Sequence, residues 1–324
     1  MSDLISRPKP SYVTVESRGQ AQRLDNYLFN LLKGVPKSYV YKIIRKGEVR
    51  LDKKRVSVDC RLETGQILRL PPIHVSENSR LNPDQPINAL QHSPAKANAL
   101  QSAILYEDND LLVINKPAGF AVHGGSGIKL GVIETLRKAR PKEDYLELVH
   151  RLDRETSGCL LLAKKPSILK ALQAQMPYDG ENPMEKTYQA LLMGKVKNQF
   201  TVDLPLLKQQ LQNNERMVKV DKRGKPSTTR YRLLSQYRHA SLVAIQLLTG
   251  RTHQIRVHSK ELGHPVAGDE KYGDKDFNQQ VKQLGLRRMF LHAFSLEFTH
   301  PKTRKRMYHE APLDAELKYV LEKL

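Results

Sequence analysis

A polar segment divides the hydrophobic pattern of this chain into two parts. Between Pro71 and Ala103 the sequence is rich in Asn, Gln, Pro, Ser and Ala, a composition typical of a flexible linker. Two domains that move independently are therefore expected, and 324 residues are enough for a large and a small one. The predicted boundaries are a flexible tail over residues 1–11, a small domain over 12–72, a linker over 73–103 and a large domain over 104–324.

The small domain is predicted to contain a helix, a hairpin and a strongly basic surface. Pro36 opens the helix and Gly47 closes it, because proline favours a helix start and glycine a helix end. Two strands, residues 48–51 and 55–58, are predicted to form a hairpin that turns at residues 52–54. Between residues 23 and 69, twelve Lys or Arg stand against five Asp or Glu. A polar stripe along the helix consists of Ser38, Tyr41, Lys42 and Arg45.

The charge of the whole chain points to a polyanionic partner. There are 54 Lys or Arg against 34 Asp or Glu, a formal net charge of +20. Counterion release makes nucleic acid the expected partner. A membrane surface would also attract this charge, but no apolar run approaches the ~20 residues that span a bilayer, and MSDLISRPKP is not a signal peptide. Cys60 and Cys159 form no CxxC pair, so we expect no disulfide, no thiolate zinc site and a cytoplasmic location.

The large domain is predicted to be α+β. Short apolar strands alternate with turns and amphipathic helices, without a regular βαβα order and without a repeat of 20–50 residues. The sheet is therefore expected to be largely antiparallel. The predicted strands are 104–106, 111–116, 159–163, 185–192, 242–248 and 289–298, and the predicted helices are 254–262, 279–286 and 313–324.

The strongest candidate for chemistry is the sequence HRLDRETSG at residues 150–158. Asp153 lies between Arg151 and Arg154, just before the predicted buried strand over 159–163. A carboxylate in a basic cleft at the end of a buried strand suits covalent chemistry on a polyanion. The alternative is that Asp153 only forms an ion pair with one of these two arginines.

Ordered motifs across the chain resemble those of the RNA pseudouridine synthases that modify ribosomal and transfer RNA. HRLDRETSG is followed by KTY at 186–188 and by GRTHQIRVH at 250–258. Shorter matches are NKPAG at 115–119, AVHGG at 121–125, GDEKYG at 268–273 and FLHA at 290–293. This resemblance runs from about Ile104 to the C-terminus. In the small domain, RLD at 23–25 and GEV at 47–49 resemble the S4 RNA-binding domain.

The resemblance implies the pseudouridine-synthase fold, a long bent sheet with a central cleft for the target nucleotide. The reaction breaks the bond between uracil N1 and ribose C1′, turns the base and rejoins it through C5. Detached uracil delocalises its charge over two carbonyls, so one carboxylate can suffice where a glycosidase uses two.

The resemblance to this family implies that Asp153 is that carboxylate. Whether it attacks C1′, attacks the base or removes a ribose proton stays open. Arg256 is implied as its cationic partner, which keeps it ionised, although Arg256 could instead bind a phosphate. Tyr188 is implied to stack on the base and to take up the C5 proton.

Other residues are predicted to contact the substrate. The family packs an aliphatic side chain against the flipped base, and Leu286 or Leu291 fits that position. Phosphate contacts offset the cost of extruding the base. Candidate substrate-binding cations in the large domain are Arg151, Arg154 and Lys186. Candidate RNA contacts in the small domain are Arg23, Ser38, Lys42, Arg45, Lys46 and Arg50.

No metal or cofactor is expected. His253 and His258 are separated by ~140° around a helix, so they do not share a face, and the sequence has no HExxH motif. Glycine-rich residues 124–127 lack the GK[ST] of a Walker loop, and the isomerisation is redox-neutral.

We therefore expect a monomeric RNA pseudouridine synthase, without a membrane partner, that acts on large-subunit ribosomal RNA. One alternative is the same chemistry on other ribosomal or transfer RNA sites. The others are a non-catalytic RNA-binding factor in ribosome assembly and a metal-dependent nuclease or glycosidase.

Overall fold

The computed structural model describes residues 10–16, 19–32, 35, 37–72, 94–124, 130–210 and 216–324. The chain forms two compact units, residues 1–87 and residues 88–324. No described helix is long and apolar enough to cross a membrane.

The described part of the small domain contains two helices and a four-stranded sheet. Its strand order is β1-β4-β2-β3, and each neighbouring pair is antiparallel. Helix residues such as Leu28 and Ile43 share one core with alternate strand residues such as Leu68 and Leu70. The elements are β1 (Ser11–Thr14), α1 (Leu24–Leu31), α2 (Lys37–Arg45), β2 (Arg50–Leu51), β3 (Lys54–Arg55) and β4 (Ile67–Leu70).

The predicted helix of the small domain is confirmed, and the predicted hairpin is present with different bounds: Lys54 belongs to the second strand rather than to the turn, and residues 56–58 are not a strand. The predicted helix is α2, and Gly47 follows it with a φ of 72°, a left-handed conformation that suits glycine at a helix end. The predicted hairpin joins β2 to β3. Its turn residues Asp52 and Lys53 have φ values of 47° and 68°, as the twist of a two-residue hairpin turn requires.

The large domain is built on one sheet, which has ten strands in the described chain. Eight strands form the path β10-β13-β14-β9-β15-β8-β6-β5, while β16 pairs with β15 and β7 with β8. Strands β11 and β12 form a separate hairpin. The strands are β5 (Ile104–Glu107), β6 (Leu111–Lys116), β7 (Glu147–Leu148), β8 (Ser157–Ala163), β9 (Glu185–Met193), β10 (Gln199–Asp203), β11 (Leu206–Gln210), β12 (Arg216–Val220), β13 (Thr228–Gln236), β14 (Ala240–Leu247), β15 (Leu291–Thr299) and β16 (Arg306–Glu310).

Six helices accompany this sheet in the described residues, and the predicted α+β class is confirmed. They are α3 (Pro94–Ser102), α4 (Val132–Ala139), α5 (Pro166–Ala174), α6 (Gln254–Glu261), α7 (Lys275–Gln283) and α8 (Ala315–Lys323).

Strand β15 joins the two halves of the sheet. It pairs with β9 in antiparallel fashion and with β8 in parallel fashion, and this is the only parallel pairing among the described strands. Gly158 of β8 has a φ of 109°, and a Cβ there would lie 2.2 Å from the carbonyl oxygen of Ala293 in β15. Only glycine therefore permits this close approach.

Strand β8 is buried along its whole length. Leu160 and Leu162 pack into one hydrophobic cluster, whereas Cys159 and Leu161 pack into another. Both faces of the strand are therefore covered, so the loop that precedes it starts from a rigid base.

Two domain boundaries differ from the prediction. Ser11, assigned to the tail, begins β1 and pairs with Leu70. Residues 94–102, assigned to the linker, form α3. The sequence of α3 has a weak apolar pattern with Leu100 as its buried anchor. The tail residues 1–9 and the linker residues 73–93 lie outside the described residues.

Helix α7 begins four residues before the predicted helix over 279–286. The carboxylate of Asp274 caps its first turn by accepting a hydrogen bond from the Phe277 amide at 2.8 Å. The helix ends at Gln283 because Gly285 has a φ of 105°, which no α-helix contains.

Candidate active site

Asp153 lies in a pocket of about 350 Å³. Three parts of the chain supply most of its lining: residues 149–156 before β8, the start of β9, and residues 250–256 at the start of α6. Met176, Leu247 and Leu291 complete it. The fold thus brings together the three motifs that the sequence singled out. The predicted site residues that line the pocket are Asp153, Tyr188, Arg256, Arg151, Lys186 and Leu291.

The partner of Asp153 is Arg256. Its Nη1 lies 3.5 Å from Asp153 Oδ2, and Arg256 is only 8% exposed. Arg154, one of the two alternative partners, instead pairs with Glu155 at 2.7 Å on the surface. The alternative that Asp153 only forms an ion pair with Arg154 is therefore wrong.

Arg256 is itself fixed by Asp269, to which the sequence analysis assigned no role. Arg256 Nε and Nη2 each donate a hydrogen bond of 2.7 Å to a separate oxygen of this carboxylate. Such a two-pronged pair sets the plane of the guanidinium, which leaves Nη1 directed at Asp153.

Both members of this buried pair remain charged. Burial works against the charge of Arg256, but Asp269 and Asp153 outweigh it and raise the arginine pKa. Burial also opposes the charge of Asp269, yet Arg256 and the backbone amides of Lys271 and Tyr272 lower its pKa. The GDEKYG motif is therefore a turn that presents a carboxylate to the arginine.

A second buried cation fixes the loop that carries Asp153. The ammonium of Lys116 donates to the carbonyls of Pro117 and Phe120 at 2.9 Å and to that of Arg154 at 3.1 Å. The Gly119 amide also donates to the Arg154 carbonyl, at 2.9 Å. The NKPAG motif thus holds the backbone next to Asp153, a role that its sequence did not indicate.

Tyr188 and Leu291 form apolar walls of the pocket. Burial raises the pKa of Tyr188, and Asp153 acts in the same direction, so its phenol is neutral. Leu291 lies at the start of β15 and faces the pocket. Leu286, the alternative to Leu291, packs in a different cluster with Phe277 and Leu317. The structure therefore excludes Leu286 from the pocket wall.

The predicted substrate-binding cations occupy different environments. Arg151 is exposed and lines the pocket, whereas Arg154 is exposed outside its lining. Lys186 is half-buried on the pocket wall, with its Nζ 3.7 Å from the sulfur of Met176. Burial lowers the pKa of Lys186 to about 8, so its charge is easily lost.

One group of possible metal ligands occurs among the described residues, outside the pocket lining: Asp108, Asp110 and His300. His300 Nδ1 accepts hydrogen bonds from two backbone amides, so its Nε2 donates to Asp108 at 3.0 Å. Asp110 pairs with Lys165 at 2.6 Å. These contacts engage the ligand atoms, and the group is better explained as an internal hydrogen-bond network.

In the small domain, most of the predicted RNA contacts are exposed. Lys42, Arg45, Lys46 and Arg50 all lie at the surface. Arg23 differs because its Nε and Nη2 donate to Asp25 at 3.1 and 2.9 Å, so much of its hydrogen-bonding capacity is used within the domain. The side chain of Ser38 lies outside the described residues.

Comparison with known proteins defines the class of this molecule. The RNA pseudouridylate synthase family model matches residues 110–261, and the S4 domain model matches residues 22–68. The structure of human RNA pseudouridylate synthase domain containing 4 superposes with a TM-score of 0.59 at 28% identity, over 72% of this chain and 97% of that chain. The chain belongs to the RNA pseudouridylate synthase family.

Nearly full-length relatives share a single name, ribosomal large subunit pseudouridine synthase C. The relative from Pasteurella multocida is 49% identical over 95% of this chain and 92% of its own length. The relative from Escherichia coli is 48% identical over 98% of this chain and 97% of its own length. The enzyme class predicted from sequence, the S4 domain and the RNA partner are confirmed.

Proposed function

We propose that this enzyme converts uridines of large-subunit ribosomal RNA to pseudouridine, with Asp153 as its catalytic carboxylate. The observation that carries the proposal is the contact between Asp153 and a buried Arg256 whose orientation Asp269 fixes. The names of the relatives from Pasteurella multocida and Escherichia coli support the choice of RNA. A monomer in the cytoplasm is part of this proposal.

Asp153 acts on a uridine that has left its stack. Arg256, with its Nη1 3.5 Å from Asp153 Oδ2, holds the carboxylate in position against the sugar of that nucleotide. The carboxylate attacks ribose C1′ or removes a ribose proton, and uracil departs with its charge spread over two carbonyl oxygens. The base then turns and C5 bonds to C1′, while the bond between C1′ and Asp153 breaks or, on the other route, Asp153 returns the ribose proton. The freed carboxylate then takes the C5 proton, and uracil N1 gains a proton from water.

Tyr188 and Leu291 hold the base while it turns. A neutral phenol stacks well but is a poor base, so the raised pKa of Tyr188 supports contact with uracil rather than uptake of the C5 proton. Leu291 packs against the same base. Enclosure of this kind keeps the detached uracil next to the sugar until the new bond forms.

Cations around the pocket and on the small domain bind the rest of the RNA. Arg151 at the pocket rim and Lys186 inside it contact the extruded nucleotide. Lys42, Arg45, Lys46 and Arg50 of the small domain, residues 12–72, bind structured RNA through phosphates.

The test is release of tritium from large-subunit ribosomal RNA labelled at uridine C5, with EDTA present. Wild type and Glu155→Gln, a control that removes a surface carboxylate two residues away, should release tritium at similar rates. Asp153→Asn should release none while its RNA affinity stays within a few fold, because the basic surfaces are unchanged.

Other outcomes would contradict specific parts of the proposal. Turnover by Asp153→Asn would reject the catalytic assignment, and release only from transfer RNA or small-subunit RNA would reject the substrate. Tight binding without release from any of these RNAs would favour the assembly-factor alternative.

A further inference from the structure

His253 lies beside Asp153 with an uncommon backbone conformation. It immediately precedes α6 with φ 55° and ψ 21°, the left-handed region that few residues other than glycine adopt. Its Nε2 is 3.8 Å from Asp153 Oδ2, and its side chain is 17% exposed. Strained residues at a site persist where the surrounding contacts determine their geometry.

Tyr272 supplies such a contact to the Nδ1 atom of His253. The Tyr272 hydroxyl oxygen accepts a hydrogen bond from the Val218 amide at 3.0 Å, and it lies 2.8 Å from His253 Nδ1. Its single hydrogen is available to Nδ1. With Nδ1 as the acceptor, a neutral imidazole carries its proton on Nε2, the nitrogen that faces Asp153.

The neutral form is the relevant one near pH 7. Burial lowers the pKa of His253, and the charge of Arg256 adds to this effect, whereas Asp153 opposes it. Tyr272 also supports the other partner of Asp153, because the guanidinium of Arg256 lies 4.9 Å from its ring centroid. One tyrosine therefore orients both donors.

We propose that His253 is a positioning residue for the reaction, and that Tyr272 orients it so that Nε2–H and Arg256 Nη1 together fix Asp153 Oδ2. Oδ1 is then the oxygen presented to the nucleotide. The distance of 3.8 Å is longer than a hydrogen bond and shortens to one when the nucleotide closes the pocket. This inference rests on the proposed catalytic role of Asp153.

Two substitutions of His253 separate its two nitrogens. The amide nitrogen of glutamine can replace Nε2, so His253→Gln keeps a donor for Asp153. The amide of asparagine reaches only the position of Nδ1, so His253→Asn keeps the contact with Tyr272 alone. If His253 mattered only for its backbone, asparagine would be the better replacement, because it tolerates the left-handed region more readily.

The experiment is single-turnover pseudouridine formation at saturating large-subunit ribosomal RNA. We expect His253→Asn to be about 10-fold to 100-fold slower than wild type, as for other residues that orient a reacting group. His253→Gln should stay within a few fold of wild type. Tyr272→Phe keeps the ring under Arg256 but loses the hydroxyl, and it should also be slow. RNA affinity should not change in any of them.

The tautomer of His253 can be measured directly, and a purely structural role of Tyr272 would leave it unchanged. Side-chain 15N NMR of free wild type should show His253 as the Nε2–H tautomer, and Tyr272→Phe should shift it towards the other tautomer. The inference would be overturned if His253→Asn reacted at the wild-type rate or faster than His253→Gln. It would also be overturned if His253 of wild type were the Nδ1–H tautomer. Activity of Asp153→Asn would instead reject the proposed function on which the inference rests.

Discussion

The cations of the active-site pocket and those of the small domain are held in opposite ways. Arg256 is buried, and three of its nitrogen atoms are directed at two carboxylates. In the small domain, Lys42 and Arg45 on α2 and Lys46 just after it are exposed. The ion pair of Lys46 with Glu48 spans 3.8 Å between side chains that are 58% and 39% exposed.

This difference follows from what each region does. Orienting one reactive carboxylate requires a charge at a fixed position in a pocket of low dielectric. Binding the phosphates of an RNA requires only that cations be numerous, exposed and free to adapt. We therefore expect single substitutions to be severe in the pocket network and mild on the basic surface.

The largest predicted effect is that of Asp269→Ala. It leaves the guanidinium of Arg256 buried without its main partner, which should lower the free energy of unfolding of the large domain by about 3–5 kcal/mol. Glu48→Ala removes an exposed pair in the small domain and should cost less than about 1 kcal/mol. Urea unfolding followed by hydrogen exchange and mass spectrometry would measure each domain separately.

A double variant sharpens this comparison. Adding Arg256→Met to Asp269→Ala removes the unpaired charge, so stability should partly return while pseudouridine formation stays lost. Equal losses for Asp269→Ala and Glu48→Ala would show that the two regions do not differ in the way we describe.

A medium effect is expected when two cations of α2 and the one that follows it are replaced together: Lys42→Ala, Arg45→Ala and Lys46→Ala. RNA affinity should fall roughly tenfold, about 1.4 kcal/mol, and the dependence of log K on log salt should become less steep by about two to three. The single-turnover rate at saturating RNA should not change. Lys318→Ala, on the exposed side of α8, removes a charge elsewhere and serves as the control. A slower reaction at saturation would place these residues in catalysis.

The smallest effect concerns Lys186, a pocket cation without the fixed carboxylate partner that Arg256 has. Because burial lowers its pKa to about 8, its ammonium is present below that pH and lost above it. Between pH 7 and 9, kcat/KM of wild type should fall several-fold more than that of Lys186→Arg, whose charge persists throughout. Parallel pH profiles would show that the charge of Lys186 does not contribute to substrate binding.

Local signals in the sequence were sufficient for much of the fold. Strand β8 contains a continuous apolar run over residues 159–163, and α2 has a proline before it and a glycine after it, so neighbouring residues define each of them. Helix α3 was missed because a single buried side chain, Leu100, anchors it. The start of α7 depends on a cap by Asp274 that its apolar pattern does not show.

Active-site residues were predictable only where they lie within a recognisable sequence motif. Asp153, Tyr188 and Arg256 lie in segments of distinctive sequence, and they do meet in one pocket. The supporting roles of Asp269 and Lys116 depend on contacts between residues distant in the chain. The choice between Leu286 and Leu291 depends on which of two similar side chains the fold turns towards the pocket.

The central position of β15 has a consequence for the synthesis of this enzyme. His292 of β15 contacts Ser157 of β8 across 135 residues of sequence, a separation that slows folding. The described strands on the side of Asp153 connect by strand pairing to those on the side of Tyr188 only through β15. The small domain leaves the ribosome well before residues 291–299 are translated. Until β15 is complete, the strands that carry the two sides of the catalytic centre are not joined in one sheet. A nascent chain would therefore acquire its RNA-binding module well before its activity, and a product truncated before β15 would be a binder without catalysis.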